Sequence, residues 1–253
     1  MKRIIVLIAI AVTLVTLVAG QGTVVAEYPP ADGVAPSSPG DWTYGVYGGI
    51  GYQASLGRLH DNFGNSIIFE VGLTGGFRDL RLKGDIAYGQ PSLRNNNIFN
   101  VPDSAGFYMQ GNSNAGATHL IASFQLGYTV FKNDRLAVTP NVGIQYNGYK
   151  WDVENYSWSK SEGEEIYKRY ITSVERKSLH NWNWVASVDI DFKLHSHVTQ
   201  QPLLGGNTYE RFTSWIRVTP WLSRAAFNKC DPTVSGCNLG ITVAYLGLGR
   251  TVK

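Results

Sequence analysis

The sequence predicts an all-β fold, a closed antiparallel up-and-down transmembrane β-barrel of eight strands. Three observations predict this fold. Eight segments alternate apolar and polar residues with the period of two that is typical of β-strands. The connections between these segments are alternately short and long, and small residues concentrate on one of the two faces. Together they indicate one barrel domain over residues 42–253.

The bulk composition agrees with one exported β domain. The chain has 253 residues, with 28 glycines and 14 tyrosines, and such a composition favours β structure. The formal net charge is +3, and Lys2 and Arg3 supply two of the positive charges. So small a net charge gives no reason to expect nucleic acid as a partner.

The N-terminal segment is predicted to be a signal peptide over residues 1–20. Its two basic residues precede an apolar run that ends at Ala19, with small residues at the expected cleavage site. The run is short for a membrane span, so removal is favoured over a retained anchor. Residues 21–41 are rich in Pro, Gly and Ser and are predicted to form a flexible periplasmic lead-in.

Most of the eight segments have the length of a tilted membrane strand, which needs about 9–11 residues. They are predicted at Trp42 to Ala54, Ser66 to Phe77, Leu80 to Tyr88, Thr118 to Phe131, Leu136 to Trp151, Asn181 to Leu194, Arg211 to Leu222 and Leu239 to Gly249. Partial alternation over Tyr167 to Val174 indicates that the fifth and sixth strands extend beyond the membrane as a hairpin.

The lengths of the connections predict the orientation of the barrel. Two of the connections are very short, at Arg78-Asp79 and at Lys132-Asn133-Asp134, whereas the joint from His195 to Glu210 is longer. The connections that follow the odd segments are mostly long and polar: Ser55 to Asn65, Gly89 to Ala117, Asp152 to His180 and Ser223 to Asn238. Short periplasmic turns and long outer loops are typical of outer-membrane barrels, so both termini are predicted to be periplasmic and the loops extracellular.

Alternation alone leaves open which face points outward, because a soluble lipocalin-like barrel also alternates, with its apolar face inward. Side-chain size favours the membrane orientation. An eight-stranded barrel has a cramped interior and a wide exterior, so small residues fit inside. The polar face carries the small residues, among them Gly45, Gly49, Gly51, Gly72, Gly76, Gly127, Gly143 and Gly240. The bulky apolar face is therefore predicted to contact outer-membrane lipid.

Aromatic residues cluster near the ends of the predicted strands. In membrane barrels, such residues form girdles at the two membrane–water interfaces. The residues predicted to form these girdles are Trp42, Tyr52, Tyr88, Tyr128, Trp151, Trp182 and Trp184.

Charges of both signs occur on the predicted inner face. Buried charges must be paired and hydrogen-bonded, and four acids with four bases would cancel inside a narrow lumen. We therefore expect an ion-pair network that plugs the barrel and leaves no open pore. Its predicted members are Glu70, Asp85, Asp189, Asp191, Arg81, Lys83, Lys193 and Arg217.

The chain has two cysteines, Cys230 and Cys237, close together in a polar stretch. An exported chain reaches an oxidising compartment, so a disulfide that closes this small loop is predicted, with two free thiols as the alternative. No histidine lies near them, which argues against zinc. The sequence predicts no metal and no cofactor.

Three stretches carry a resemblance to a known group of proteins. They are Trp42-Thr-Tyr-Gly-Val-Tyr-Gly-Gly-Ile-Gly-Tyr52, Phe124-Gln-Leu-Gly-Tyr128 and Val138-Thr-Pro-Asn-Val-Gly-Ile-Gln-Tyr146. In these the chain resembles small outer-membrane β-barrel proteins of Gram-negative bacteria, with the general look of uncharacterised barrels of the Bacteroidetes type. The resemblance is one of pattern over about residues 42–250, and it implies the outer membrane of a Gram-negative bacterium.

No catalytic constellation is apparent. His119 and Ser123 share one face, but four residues along a strand span roughly 13 Å, too far for a hydrogen bond within the strand. We therefore predict a monomeric, non-enzymatic barrel with a structural or surface-interaction role, whose extracellular loops bind a ligand or protein. The alternatives are a lipid- or lipopolysaccharide-modifying enzyme, a soluble lipocalin-like binding protein and a narrow channel.

Overall fold

The computed structural model describes residues 42–94, 116–159, 168–200, 209–227, 230–231 and 234–252. The predicted signal peptide, 1–20, and lead-in, 21–41, lie outside the described residues. Eight strands form the barrel: β1 (Trp42–Gly57), β2 (Ser66–Phe77), β3 (Leu80–Gly89), β4 (Thr118–Tyr128), β5 (Leu136–Ser159), β6 (Lys168–Gln200), β7 (Tyr209–Ala226) and β8 (Ser235–Val252). A short helix, α1 (Arg58–Asn62), follows β1, and a two-residue strand, Phe131–Lys132, pairs with β5.

The sheet closes on itself. Each strand pairs antiparallel with its neighbours in sequence, and β1 pairs with β8 from Thr43 opposite Arg250 to Gly57 opposite Gly236. Closure leaves no unpaired sheet edge for lipid to meet, which is the condition for a sheet to cross a membrane. The predicted eight-stranded closed antiparallel barrel is therefore confirmed. No helix in the described part of the chain is both long and apolar enough to span a bilayer.

The two faces of the sheet have the orientation that side-chain size predicted, with the bulky apolar face outside and the polar face inside. On β2, Phe69 is 46% exposed on the outside, whereas Glu70, the next residue, is 7% exposed on the inside. The same alternation runs round the barrel, with aliphatic and aromatic side chains outward and polar ones inward. This is the reverse of a lipocalin-like barrel, whose apolar face points inward.

Glycines on the inner face leave space for two aromatic rings. The ring of Tyr47 lies against Gly72, and the indole of Trp221 lies against Gly240, where in each case a Cβ atom would collide with the ring. The small residues therefore allow large side chains to enter a narrow interior.

The two ends of the barrel differ. We call the end with the Phe77–Leu80 turn and the Tyr128–Leu136 connection the turn end, and the end with α1 the loop end. At the loop end, β5 and β6 pair as far as Ser159 opposite Lys168, although β4 accompanies β5 only to Lys150. The predicted extension of these two strands into a hairpin is therefore confirmed.

Helix α1 lies where the sequence predicted only a polar loop. Leu59 and Phe63 are four residues apart and are both fully buried. Because residues at this spacing share one face of a helical turn, the segment folds over the barrel and buries both side chains.

The turn-end part of β6 also departs from the sequence prediction. The predicted joint from His195 to Glu210 is shorter, because β6 continues to Gln200 and β7 begins at Tyr209. The pairing of β6 with β7 shifts by one residue between Lys193 and His195, which is a β-bulge.

Candidate functional site

The centre of the lumen holds an ion-pair cluster between β3, β6 and β7. Lys83 Nζ lies 3.1 Å from Asp189 Oδ1, and Arg217 Nη1 lies 3.3 Å from Asp189 Oδ2. Arg217 also donates two hydrogen bonds to Asp191, from Nε at 2.7 Å and from Nη2 at 2.9 Å. Thr219 Oγ1 donates to Asp189 Oδ1 at 2.8 Å. Asp189 therefore joins the two buried cations, and the paired geometry is the one that offsets the cost of burying charge.

Tyr47 connects this cluster to a second acidic site. Its hydroxyl donates to Asp85 Oδ2 at 3.2 Å, and Ser123 Oγ donates to the same oxygen at 2.7 Å. Arg217 and Lys83 lie over the Tyr47 ring, 5.2 Å and 5.6 Å from its centroid, which adds cation–π attraction. The sequence analysis did not select Tyr47, although alternation from Tyr44 and Val46 would have placed it on the inner face.

The eight charged residues predicted for the lumen do not all meet. Six lie at depth, and the structure places two elsewhere. Arg81 is only partly buried and donates to Thr43 Oγ1 near the turn end. Lys193 lies two residues beyond Asp191 on β6 and is exposed at the rim of the turn end. This exposure corrects its predicted place in the network. The residues at depth are Glu70, Lys83, Asp85, Asp189, Asp191 and Arg217.

The predicted balance of acids and bases therefore does not hold at the centre, where four carboxyl groups accompany two cations. A small cavity with a volume of about 20 Å³ lies beside them. Such a volume suits a single water and is far smaller than a drug-sized ligand requires. Its walls include Glu70, Lys83, Asp85, Ser123, Gln125 and Gln145.

Towards the loop end, neutral polar side chains replace the charges. Gln53 Nε2 lies 3.1 Å from Asn238 Oδ1, 3.3 Å from the Tyr149 hydroxyl and 3.2 Å from His119 Nδ1. His119 Nε2 lies 3.2 Å from Asn147 Oδ1. An amide N–H faces Nδ1 and a carbonyl oxygen faces Nε2, so the network assigns the hydrogen of a neutral imidazole to Nε2.

Aromatic rings cover this polar layer. His119 stacks on Tyr149 with ring centroids 3.9 Å apart, and Phe63 stacks on Tyr149 at 4.3 Å. Phe227 and Trp151 pack edge-on against Tyr149 and Phe63 respectively. We call these rings, with Leu59 of α1, the loop-end cap.

A third layer is apolar and lies nearer the turn end. Tyr47, Trp215, Ala244 and Leu246 form a buried cluster with Leu248 packed against it. Alternation in β8 continues to Leu246, which is fully buried inside because the lumen at this level is apolar.

The predicted girdle residues mostly lie on the outer surface. Trp151 differs, because its ring packs against Phe63 in the loop-end cap, and this corrects its assignment to the girdle. Tyr88 is half-buried. The other predicted girdle residues, exposed on the outside, are Trp42, Tyr52, Tyr128, Trp182 and Trp184.

Both cysteines are free thiols, so the predicted disulfide is not present. Cys237 lies within β8, where its backbone pairs with Leu56 on one side and Arg224 on the other. Cys230 is exposed outside that ladder, with Sγ 3.7 Å from the carbonyl oxygen of His180 on β6. The two cysteines are therefore held against different neighbours.

The pair considered for catalysis, His119 and Ser123, has other partners. Ser123 donates to Asp85 and His119 contacts amides, so this pair is not brought together. His195 and His197 stack on each other near the turn end. Within the described ranges, no group of three or more His, Cys, Asp or Glu residues is suited to hold a metal ion.

The neutral residues of the polar layer were missed by the sequence analysis. Gln53, Asn147 and Asn238 carry no charge, whereas all the residues predicted for the lumen network are charged. Alternation was the available signal for two of them, because Gln53 follows the outward Tyr52 and Asn238 precedes the outward Leu239.

Closure of the sheet and the outward apolar face identify the architecture. The chain is a closed, eight-stranded transmembrane β-barrel. No family model matches it, and no curated protein does.

Solved structures with a similar fold include Ail, the attachment invasion locus protein of Yersinia pestis, at 10% identity and a TM-score of 0.38, over 84% of this chain and 98% of that one. The outer membrane protein OprG from Pseudomonas aeruginosa matches at 9% identity and a TM-score of 0.35, over 83% of this chain and 95% of that one. The outer membrane protease OmpT from Escherichia coli matches at 10% identity and a TM-score of 0.29, over 87% of this chain and 100% of that one. These likenesses are remote and concern the fold alone.

Proposed function

We propose that this protein is a non-conducting, monomeric barrel of a Gram-negative outer membrane, with a structural or surface-interaction role. The observation that carries the proposal is the filling of the lumen at three successive levels. These are the apolar cluster around Leu246, the ion pairs around Asp189 and the loop-end cap around Tyr149. A continuous water-filled path would have to cross all three.

The proposed orientation has the loop end outside the cell and both termini in the periplasm. It is supported by the contrast between the short Phe77–Leu80 turn at one end and the β5–β6 hairpin and α1 at the other. The hairpin, projecting beyond its neighbours, is the surface that we propose for binding an extracellular ligand or protein.

The projecting hairpin is polar and carries an exposed ion pair. Arg176 donates from Nε to Asp152 Oδ1 at 2.9 Å, and this hydrogen bond holds the pKa of the Asp152 carboxyl below its ordinary value. Val174, close by, is 57% exposed. Exposed polar and apolar groups on a regular pair of strands are suited to contacts with a partner rather than to a packed interior.

A non-enzymatic role is part of the proposal. It is supported by the partners of His119, whose two ring nitrogens contact the side-chain amides of Gln53 and Asn147. A general base requires a nucleophile or an orienting acid at these positions.

Electrical recording tests closure. The purified protein is reconstituted into planar bilayers, and we expect no steady, large single-channel conductance. The matched variant Tyr149→Ala removes the central ring of the loop-end cap and leaves the two deeper layers, so it is expected to stay closed as well. A steady, large conductance of the unmodified protein would contradict the proposal.

Thiol labelling on intact cells tests the orientation. Cys230 is exposed at the loop end, so in a Cys237→Ser background a membrane-impermeant maleimide should label it after mild reduction, and the further change Cys230→Ser should remove the signal. The control is Arg135→Cys in the Cys230→Ser/Cys237→Ser background, which places a single thiol in the exposed turn-end connection. The opposite pattern, with labelling of position 135 alone on intact cells, would show that the barrel is inverted.

A further inference from the structure

The mouth of the lumen at the turn end is lined by cations. Strand register places five basic residues on inward positions there, each opposite an inward position of a neighbouring strand. All five side chains are half-buried or exposed, so a molecule that enters this end of the lumen meets them first. We call these residues the cationic mouth: Arg81, Lys132, Lys193, Arg211 and Arg250.

Three of these cations share one row of the strand register. Arg250 pairs with Arg211 on one side and with Thr43 on the other. Arg81 donates from Nη1 to Thr43 Oγ1, and it passes over Gly76, where a Cβ atom would collide with the guanidinium. Like charges that lie opposite each other across two strands repel, so an anion held against this row is stabilised.

Lys132 lies close to the same row. Partial burial of its ammonium and the nearby guanidinium groups of Arg81 and Arg250 lower the pKa of Lys132, and Asp79 opposes this only in part. The cations of the mouth are therefore near enough to act on one another and on one bound anion.

The acidic residues of the turn end do not balance the cationic mouth. Asp79 and Asp134 lie exposed in the connections, which also carry Arg78 and Arg135. By alternation, Glu210 has a register position on the outer face. The loop-end connections, residues 55–65, 89–117, 150–180 and 223–238, contain ten Lys and Arg against nine Asp and Glu. The excess of positive charge thus belongs to the inner face of the turn end.

Below the cations, the mouth has an apolar floor with one unsatisfied donor. Leu248, the next inward residue after Arg250, packs on the cluster that contains Leu246 and Trp215. Trp215 lies opposite Lys193 and is only 8% exposed, and its indole Nε1 has no acceptor among the described residues. A buried N–H without an acceptor is unfavourable, so this donor indicates that an acceptor enters the mouth.

The predicted lead-in, residues 21–41, joins the barrel at this same end, because Trp42 lies opposite Phe77 of the short turn. It contains no Lys, Arg or His, and it has four prolines. Proline-rich chains favour an extended conformation whose carbonyl oxygens have no partners within the chain, so they are free to accept from a donor such as an indole. The charged residues of the lead-in are Glu27, Asp32 and Asp41.

The lead-in is long enough to reach across the mouth. Nine residues separate Asp32 from Trp42. An extended proline-rich chain advances about 3.1 Å per residue, so this stretch spans roughly 30 Å. Eight strands about 4.8 Å apart and tilted by about 40° enclose a barrel about 16 Å in diameter. Acidic residues of the lead-in can therefore meet cations on every side of the mouth.

We propose that the lead-in folds back and docks in the cationic mouth of its own barrel, with its carboxylates against the cations and its backbone over the apolar floor. Charge complementarity selects this segment, and its covalent link to β1 holds it at a high effective concentration. The proposal rests on the barrel of the proposed function. It does not depend on the filling of the deeper layers, on the surface role or on which side of the membrane the turn end faces.

Distances between two spin labels on the full chain test this docking. The labels are attached at Val34→Cys and Arg135→Cys in the Cys230→Ser/Cys237→Ser background, and the barrel is reconstituted in lipid vesicles. At low salt we expect a narrow distribution of distances from electron–electron dipolar coupling. Salt at about 1 M, where the Debye length is about 3 Å, should broaden it because the attraction is screened.

Charge variants of the labelled chain test the site. Lys132→Gln/Lys193→Gln removes two exposed cations of the mouth and should lower the ratio of docked to free lead-in about fivefold. The matched control, Arg58→Gln/Lys150→Gln, removes two exposed cations from the loop end and should leave the ratio unchanged. A heat-dependent shift on electrophoresis reports that each variant is folded.

Variants of the lead-in complete the test. Glu27→Gln/Asp32→Asn should release the lead-in as the mouth variant does, and the combined quadruple variant should lose less than the sum of the two effects, because the same ion pairs are removed. A broad distribution in the labelled chain at low salt would leave the mouth to another anion and overturn the proposal, as would equal effects of the mouth and loop-end variants. A conducting barrel in the bilayer experiment would refute the closed lumen without affecting these results.

Discussion

Lys83 and Asp189 form an ion pair across the interior of the barrel, with 3.1 Å between Nζ and Oδ1 and only 3% of each side chain exposed. The two residues lie on β3 and β6, which are separated in the sheet by β4 and β5. The ion pair therefore connects two strands, β3 and β6, that share no backbone hydrogen bonds.

Removing one partner of this pair should be costly. Lys83→Met leaves Asp189 with Arg217 and Thr219 but without its second cation, and we expect the free energy of unfolding to fall by about 3 kcal/mol. Urea unfolding from lipid vesicles measures the change. The double variant Lys83→Met/Asp189→Asn should recover part of the loss, since it removes the unmatched charge. If Lys83→Met had the same free energy of unfolding as the unmodified protein, the ion pair would not stabilise the barrel.

Leu246 provides a test of the inner apolar layer. Leu246→Ala should leave a cavity among Tyr47, Trp215 and Ala244 and reduce the free energy of unfolding by about 2–5 kcal/mol. Leu126→Ala is the control, because this side chain is 49% exposed on the outside, where lipid tails can fill the space. The same unfolding experiment compares the two variants, and an equal loss in both would contradict the inward position of Leu246.

The hairpin should loosen in acid. The pKa of Asp152 is held below its ordinary value in the folded hairpin by its hydrogen bond with Arg176, so the folded form binds this proton more weakly than the unfolded form does. The resulting stabilisation is present above the ordinary pKa of an aspartate and is lost as the pH falls through the lowered folded value.

Hydrogen exchange of the amides in β5 and β6 beyond Lys150 measures this effect. Exchange, corrected for its intrinsic pH dependence, should increase as the pH falls from 7 to 3, and Asp152→Asn should remove that increase. Identical pH profiles for the two proteins would mean that the ion pair does not hold the hairpin together.

Strand positions were predictable from the sequence because a period of two is a local signal. The bounds of β2 agree residue for residue with the predicted segment, and Phe69 and Glu70 take the predicted faces. The glycines of the polar face also predicted which face of the sheet points inward, because small residues fit the narrow interior of the barrel.

Other features depend on contacts between distant residues and could not be found in this way. Helix α1 has only five residues, too few for a periodic pattern, and it forms because Leu59 and Phe63 are buried against other strands. Gln53 and Asn238 are 185 residues apart, and nothing local indicates that they meet. Lys193 and Trp151 follow the alternation but lie at opposite ends of the lumen. Lys193 is exposed at the turn-end rim, and Trp151 packs into the loop-end cap, and alternation predicts neither of these surroundings.

The most direct test of the account concerns the medium outside the barrel. Ile144 and Val174 are exposed to nearly the same extent, 54% and 57%, but Ile144 lies on the wall of the barrel and Val174 on the projecting hairpin. We expect Ile144→Arg to reduce the free energy of unfolding from lipid vesicles by about 2–4 kcal/mol, because an arginine at that depth faces lipid. Val174→Arg should change it by less than about 0.5 kcal/mol, as substitutions at water-exposed surfaces do. Equally small changes in both variants would mean that water surrounds the wall, and the account of a membrane-spanning barrel would be wrong.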